Sequence, residues 1–92
     1  MDQLTNYLPT EDLQRRNAAH HMQPFSAQDE LSARGVRVIT SAKGVYITDS
    51  DGNQYLDAMA GLWCVNIGYG RSELADVAVR QIRELAYYNT FF

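Results

Sequence analysis

Ala58-Met59-Ala60-Gly61-Leu62-Trp63-Cys64-Val65-Asn66-Ile67-Gly68-Tyr69-Gly70 is an apolar run between two well-punctuated segments. It follows neither the 3.6-residue period of a helix nor the alternation of a strand. Gly61, Gly68 and Gly70 allow backbone angles that a Cβ forbids, while Trp63 and Tyr69 are large rigid surfaces set among them. A glycine-rich turn that displays the chain's only tryptophan reads as the wall of a site. The plainer reading is a loop buried under a sheet, since surface loops are seldom this apolar unless something covers them.

Immediately upstream, three short runs rich in β-branched and aromatic residues, Val36 to Thr40, Val45 to Thr48 and Gln54 to Asp57, read as a small antiparallel meander. Lys43-Gly44 divides the first pair. Asp49-Ser50-Asp51-Gly52-Asn53 joins the second, with Gly52 at the left-handed position of a hairpin loop. Downstream, Ser72 is placed to cap a helix with Glu73 in its first turn. Leu74, Val77, Ala78, Ile82 and Leu85 recur at three- and four-residue steps, so one face packs inward.

The N-terminal third is less patterned. Residues 1 to 9 read as a loose arm ending at Pro9, after which Thr10 can cap a helix running to about His21, with Glu11 and Asp12 on the turn that the helix dipole favours. Leu13, Ala18, Ala19 and Met22 make a weak apolar stripe, and Pro24 closes the segment. Ser26-Ala27-Gln28-Asp29 resembles a capping box and predicts a short helical turn as far as Gly35, with Phe25 just ahead of the cap.

At 92 residues the chain is one domain at most, and a chain of this size buries only about 60 to 65% of its unfolded surface. Six tyrosines, three phenylalanines and a tryptophan, with 46% apolar residues, exceed what so small a domain covers easily. The terminal run Tyr87-Tyr88-Asn89-Thr90-Phe91-Phe92 has no stop signal after it, which predicts that the chain is a fragment. Eight basic and eleven acidic residues give a dispersed net charge of −3, so there is neither a nucleic-acid footprint nor a polybasic membrane patch. One cysteine, Cys64, excludes an internal disulfide and fits a reducing compartment. With no basic and apolar leader in the first residues and no spanning segment, the expectation is a cytoplasmic protein.

Candidate chemistry is sparse. Asp49, Asp51 and Asn53 imitate a calcium loop, but Gln54 and Ala60 stand where glycine and glutamate are required, and turn chemistry explains them better. Gly68-Tyr69-Gly70 lacks the third glycine of a dinucleotide fingerprint. His20 and His21 diverge by about 100° on a helix, the wrong spacing for shared metal ligation. Cys64 has no acid–base partner in view and reads as a small buried side chain. Lys43, the only lysine, sits in a turn where nothing would desolvate it into a nucleophile.

Four segments taken together are more informative: His20-His21-Met22-Gln23-Pro24-Phe25, Gly44 to Asn53, Leu56 to Gly70, and Tyr87 to Phe92. They resemble the N-terminal part of the class III, pyridoxal-phosphate-dependent aminotransferases. Gly61-Leu62-Trp63-Cys64 and Tyr88-Asn89-Thr90-Phe91-Phe92 resemble in particular the ω-amino acid or amine:pyruvate branch. The resemblance implies an α/β chain, the N-terminal part of the type I (aspartate-aminotransferase-like) fold, here as helix, antiparallel β-meander, loop and helix. It divides the chain into residues 1–57, helix and meander of the small domain, and 58–92, an active-site loop and helix leading toward a cofactor domain.

It further implies a homodimer with active sites at the subunit interface, and a transaminase that moves an amino group from an ω-amino acid or amine donor to pyruvate or a similar keto acid through pyridoxal 5'-phosphate. Substrate-pocket positions implied in this way are Trp63, Leu62, Cys64, Phe25, Tyr88, Phe91 and Phe92. The cofactor's lysine, the aspartate that pairs its ring nitrogen and its phosphate-binding turn fall beyond Phe92, so the resemblance implies that this chain alone is inactive. The competing expectation is a stand-alone binding module that uses Trp63 and the C-terminal aromatics as its recognition surface.

Overall fold

The structure, a computed structural model, describes residues 8–91. In chain order the elements are α1 (Thr10–His20), α2 (Gln28–Arg34), β1 (Ile39–Lys43), β2 (Tyr46–Asp49), β3 (Gln54–Leu56), α3 (Ala60–Trp63) and α4 (Ser72–Glu84). The three strands form an antiparallel sheet in the order β1-β2-β3, the meander that the β-branched runs predict.

Strand β1 starts three residues later than the sequence suggests. Val36 and Val38 belong instead to the lead-in: the Val36 carbonyl accepts from the Gln14 side chain of α1 at 2.8 Å, and the Val38 carbonyl accepts from Ser50 N–H at 2.8 Å. Pairing then runs through Ser41↔Thr48 and Ala42↔Ile47 to Lys43↔Tyr46, with an irregularity between Ile39 and Ser41. The turn is therefore Gly44-Val45, and Lys43 ends the strand rather than lying in the turn. Tyr46↔Leu56, Ile47↔Tyr55 and Thr48↔Gln54 complete the sheet.

The second hairpin closes on a carboxylate. Asp49, the one buried polar residue among those described, at 7% exposure, accepts from the backbone N–H of Asp51 at 3.0 Å and of Asn53 at 2.8 Å, and from the Tyr55 hydroxyl at 2.9 Å. Burial alone would raise its pKa, but the hydrogen bonds from Asn53, Tyr55 and Asp51 outweigh it and hold the carboxyl below the ordinary range. The acidic loop is thus organised by turn chemistry, with Gly52 left-handed at φ 86°. The Arg37 guanidinium lies 4.3 Å from the Tyr55 ring centre, covering the same corner.

None of the three predicted hydroxyl caps forms. Thr10 is the first residue of α1, and its Oγ1 lies 2.7 Å from Ser50 Oγ and 2.6 Å from Asp51 Oδ1, joining the helix to the acidic turn. The Ser26 hydroxyl donates to the Pro24 carbonyl at 3.0 Å, and Ala27 occupies the cap position of α2. Ser72 lies inside α4, where Arg71 is the cap residue and its guanidinium pairs with Glu73. Helix α1 ends at His20, with His21 already extended, ahead of Pro24. Helix α2 stops where expected, at Gly35, whose N–H donates to the Leu31 carbonyl at 2.9 Å.

A hydrophobic core is missing among the described residues: no apolar side chain is buried. The radius of gyration, 16.9 Å, exceeds the about 12 Å of a compact domain of this length. Contrary to the inward-packing expectation for α4, Leu74, Val77, Ile82 and Leu85 are each more than half exposed.

Candidate functional site

The stretch after β3 is built around a left-handed turn. Ala60, Gly61, Leu62 and Trp63 have φ of 47°, 60°, 64° and 68°, so α3 winds in the sense that L-residues avoid. The turn is closed by Trp63 N–H to the Met59 carbonyl at 2.9 Å and by Cys64 and Val65 N–H to the Ala60 carbonyl at 2.9 Å. Gly61 is needed for space as well as angle: a Cβ there would come within 2.7 Å of Val65 Cγ2 and 3.1 Å of the Tyr69 hydroxyl oxygen.

Both ends of this loop are tied to the sheet. Asp57 N–H donates to the Val45 carbonyl at 2.8 Å, and Tyr69 exchanges two backbone hydrogen bonds with Gly44, at 3.0 and 2.8 Å. The two anchors meet at one atom. Asp57 Oδ2 accepts the Tyr69 hydroxyl at 2.6 Å and the Gly61 N–H at 2.8 Å. The Tyr69 hydrogen bond, with those from backbone N–H groups, holds the Asp57 carboxyl below the ordinary range, and the same bond raises the Tyr69 phenol.

The consequence is an outward-facing tryptophan. Trp63 is 80% exposed, Leu62 is 55% exposed and Cys64 is also exposed, so neither the buried-loop reading of this stretch nor the buried-cysteine reading of Cys64 describes these residues. The Cys64 thiol instead donates toward the Gly61 and Leu62 carbonyls, each at 3.1 Å. Phe25, at φ 53°, is fully exposed, and Tyr88 and Phe91 are exposed at the far end of the chain. Phe92 lies outside the described residues.

The structure therefore presents Leu62, Trp63 and Cys64 on one turn, with Phe25, Tyr88 and Phe91 on separate segments. A cleft of about 520 Å³ lies elsewhere, between α1, α2 and the lead-in to β1, lined by Leu13, Asn17, Leu31 and Val38 among others. Asp57 and Tyr69 were not singled out by the sequence as a pair. Twelve residues apart with no shared period, they carry no local signal of meeting.

Lys43 stands exposed at the end of β1, opposite Tyr46. Nothing around it desolvates an amine or forms a cradle of backbone N–H groups for a phosphate, so the residues described here do not fit a pyridoxal phosphate site.

The family model for aminotransferase class-III matches residues 27–92. The chain belongs to the class-III aminotransferases. It is 56% identical over 90 residues to the putrescine–pyruvate aminotransferase of Pseudomonas aeruginosa, a match covering 98% of this chain and 20% of that protein. A thermostable (S)-enantioselective omega-transaminase from Thermomicrobium roseum superposes with a TM-score of 0.89 at 39% identity, over 95% of this chain and 20% of that one.

A thermostable omega-transaminase variant with a tryptophan replaced by glycine, engineered for asymmetric synthesis of enantiopure bulky amines, superposes with a TM-score of 0.83 at 28% identity. That match covers 86% of this chain and 18% of that one. The chain thus spans about a fifth of the length of the class-III aminotransferases it matches. Within that family the helix, antiparallel meander, loop and helix of the described residues are the expected α/β arrangement. Among the described residues no helix is long and apolar enough to cross a membrane.

Proposed function

We propose that this chain supplies part of the substrate-pocket wall of a transaminase that moves an amino group from an amine or ω-amino acid donor to pyruvate or a similar keto acid. Trp63 is the main surface, Leu62 and Cys64 its neighbours on the turn, and Phe25, Tyr88, Phe91 and Phe92 further contributors within a homodimer. Residues 1–57 belong with the small domain, and 58–92 lead toward the cofactor domain. Pyridoxal phosphate, with its electron-sink chemistry, is held by other segments of the enzyme, and no step of the reaction is assigned to Lys43.

The observation that carries this reading is the exposure of Trp63 on a strained, hydrogen-bonded turn. An indole held outward in this way is a surface kept for something else to cover. Two comparisons support it. The putrescine–pyruvate enzyme acts on an amine donor and pyruvate, as its name states, and the bulky-amine variant differs at a tryptophan, while Trp63 is this chain's sole tryptophan. The stand-alone module is the weaker reading, because an independent domain needs a core of its own and no described apolar side chain is buried.

Covering about 60 Å² of apolar donor surface against Trp63, at roughly 25 cal/mol per Å², is worth about 1.5 kcal/mol, close to tenfold in kcat/KM. The test is a chimera in which this chain replaces the matching segment of the P. aeruginosa putrescine–pyruvate aminotransferase. Trp63→Ala takes that contact from putrescine, which is too slim to fill the vacated space, while the ring of an arylalkylamine can occupy it. The arylalkylamine-to-putrescine ratio of kcat/KM should therefore rise by about tenfold. A ratio within about twofold of the parent would remove Trp63 from the pocket.

A further inference from the structure

We propose that Asp57, acting with Tyr69, is the positioning residue that fixes the Trp63 wall and thereby sets which amine donors the enzyme accepts. This inference rests on the pocket reading above.

The turn needs a holder. Ala60, Leu62 and Trp63 are non-glycine residues in left-handed backbone, each disfavoured by about 1 to 2 kcal/mol, and such conformations persist only where surrounding contacts over-determine them. The bonds within the turn are local and do not select its hand. Asp57 does, because it meets the turn from outside: Oδ2 takes the Gly61 N–H at 2.8 Å, and its backbone carbonyl takes the Ala60 N–H at 3.2 Å. A right-handed turn would aim those N–H groups elsewhere.

Tyr69 completes the clamp. Its hydroxyl donates to the same Oδ2 at 2.6 Å and stands where only a glycine fits opposite, 3.1 Å from the position of a Cβ on Gly61. Through Gly44 and Val45 both clamp residues are bonded to the tip of the β1–β2 hairpin. Trp63 lies two residues beyond Gly61, so loss of the Asp57 acceptor frees the indole to swing. Asp57 and Tyr69 are half-buried behind the turn. They act through Trp63 and are not catalytic residues.

The experiment uses the same chimera with Trp63→Ala, Asp57→Ala, Asp57→Asn, Tyr69→Phe and the Asp57→Ala/Trp63→Ala pair. It reads the arylalkylamine-to-putrescine ratio of kcat/KM and the hydrogen exchange of residues 58–70. Asp57→Ala should speed exchange in that segment by about tenfold. It should also shift the donor ratio at least about threefold in the direction of Trp63→Ala, mainly through KM. Asp57→Asn, which retains one oxygen for Gly61 and Tyr69, should fall between Asp57→Ala and the parent, and the double variant should match Trp63→Ala alone.

Unchanged exchange in Asp57→Ala overturns the clamp. So do donor ratios within about twofold of the parent in Asp57→Ala, Asp57→Asn and Tyr69→Phe while Trp63→Ala shifts, a result that leaves the pocket reading standing. If Trp63→Ala itself does not shift, the pocket reading fails and this proposal with it. Should Asp57→Ala fail to assemble, Tyr69→Phe and Asp57→Asn make the same comparison.

Discussion

Gly68 is pressed against the carbonyl of Gly44: a Cβ built on Gly68 would stand 2.9 Å from that oxygen. The neighbouring Tyr69 is bonded to the same Gly44 through both of its backbone groups. The return of the tryptophan loop and the tip of the first hairpin are therefore one structural unit, and the close approach is possible only because Gly68 carries no side chain, whereas a Cβ on Gly44 would meet nothing within 4 Å.

Gly68→Ala meets two obstacles, a φ of 81° and a backbone oxygen that cannot step aside. It should destabilise the chimeric enzyme by roughly 2 to 4 kcal/mol and shift donor selectivity with it. Gly52→Ala, at φ 86° but in open space, should cost only about 1 kcal/mol and leave selectivity alone. Thermal unfolding and donor kinetics on the pair give the check, and equal effects would contradict the Gly44 contact.

Acid should loosen the acidic hairpin turn with a defined sign. The folded Asp49 carboxyl titrates below its ordinary 3.8, so its stabilisation is complete above that value and is lost as pH falls through the depressed folded one. Tyr55, raised above 10.0 by its bond to Asp49, acts oppositely: its share is present below 10 and lost as pH rises through the folded value. Asp49→Asn should flatten the acid limb of a melting-temperature profile, and Tyr55→Phe the alkaline limb. A profile unchanged by either variant would show that these bonds do not form.

Lys43→Ala should leave the activity of the chimera within about twofold of the parent, since an exposed side-chain change away from a site is nearly neutral. The 92-residue chain alone, mixed with pyridoxal phosphate and borohydride, should yield no stoichiometric adduct at Lys43. Peptide mapping of the reduced mixture reads the result directly, and a specific adduct would restore Lys43 as a cofactor ligand.

Helix α4 predicts a sharp asymmetry between its faces. Ile82→Asp places a charge in the stripe formed by Leu74, Val77 and Leu85. If the whole enzyme covers that stripe, the substitution should destabilise it by roughly 3 kcal/mol or more. Arg80→Ala, on the polar side, should stay within about 0.5 kcal/mol. The isolated chain should bind an apolar dye such as ANS strongly, and the chimera weakly. Equal dye binding would mean the stripe stays open.

The three-stranded meander, the second hairpin loop at Gly52, the α2 stop at Gly35 and the helical period of α4 are legible because each depends on neighbours in sequence: turn residues, a left-handed glycine, a repeating apolar step. The caps were misread for a complementary reason. Thr10 and Ser26 have the right chemistry, but their hydroxyls are drawn to Ser50, Asp51 and Pro24, partners that a local pattern does not weigh. The start of β1 slipped because Val36 and Val38 have strand-like side chains while their carbonyls serve Gln14 and Ser50.

At the site, the glycines flagged an irregular loop and Trp63 flagged its exposed surface. The left-handed winding was hidden because three of its four residues are not glycine, and what holds it comes from Asp57 and Tyr69, which meet only after the sheet has formed.

The bonds that shape the tryptophan turn all begin and end between Gly44 and Tyr69. Its form is therefore written into a contiguous cassette that could be moved whole between related scaffolds, hairpin tip and loop together. Transplanting the loop without the tip would sever its hinge and leave the indole without a fixed bearing.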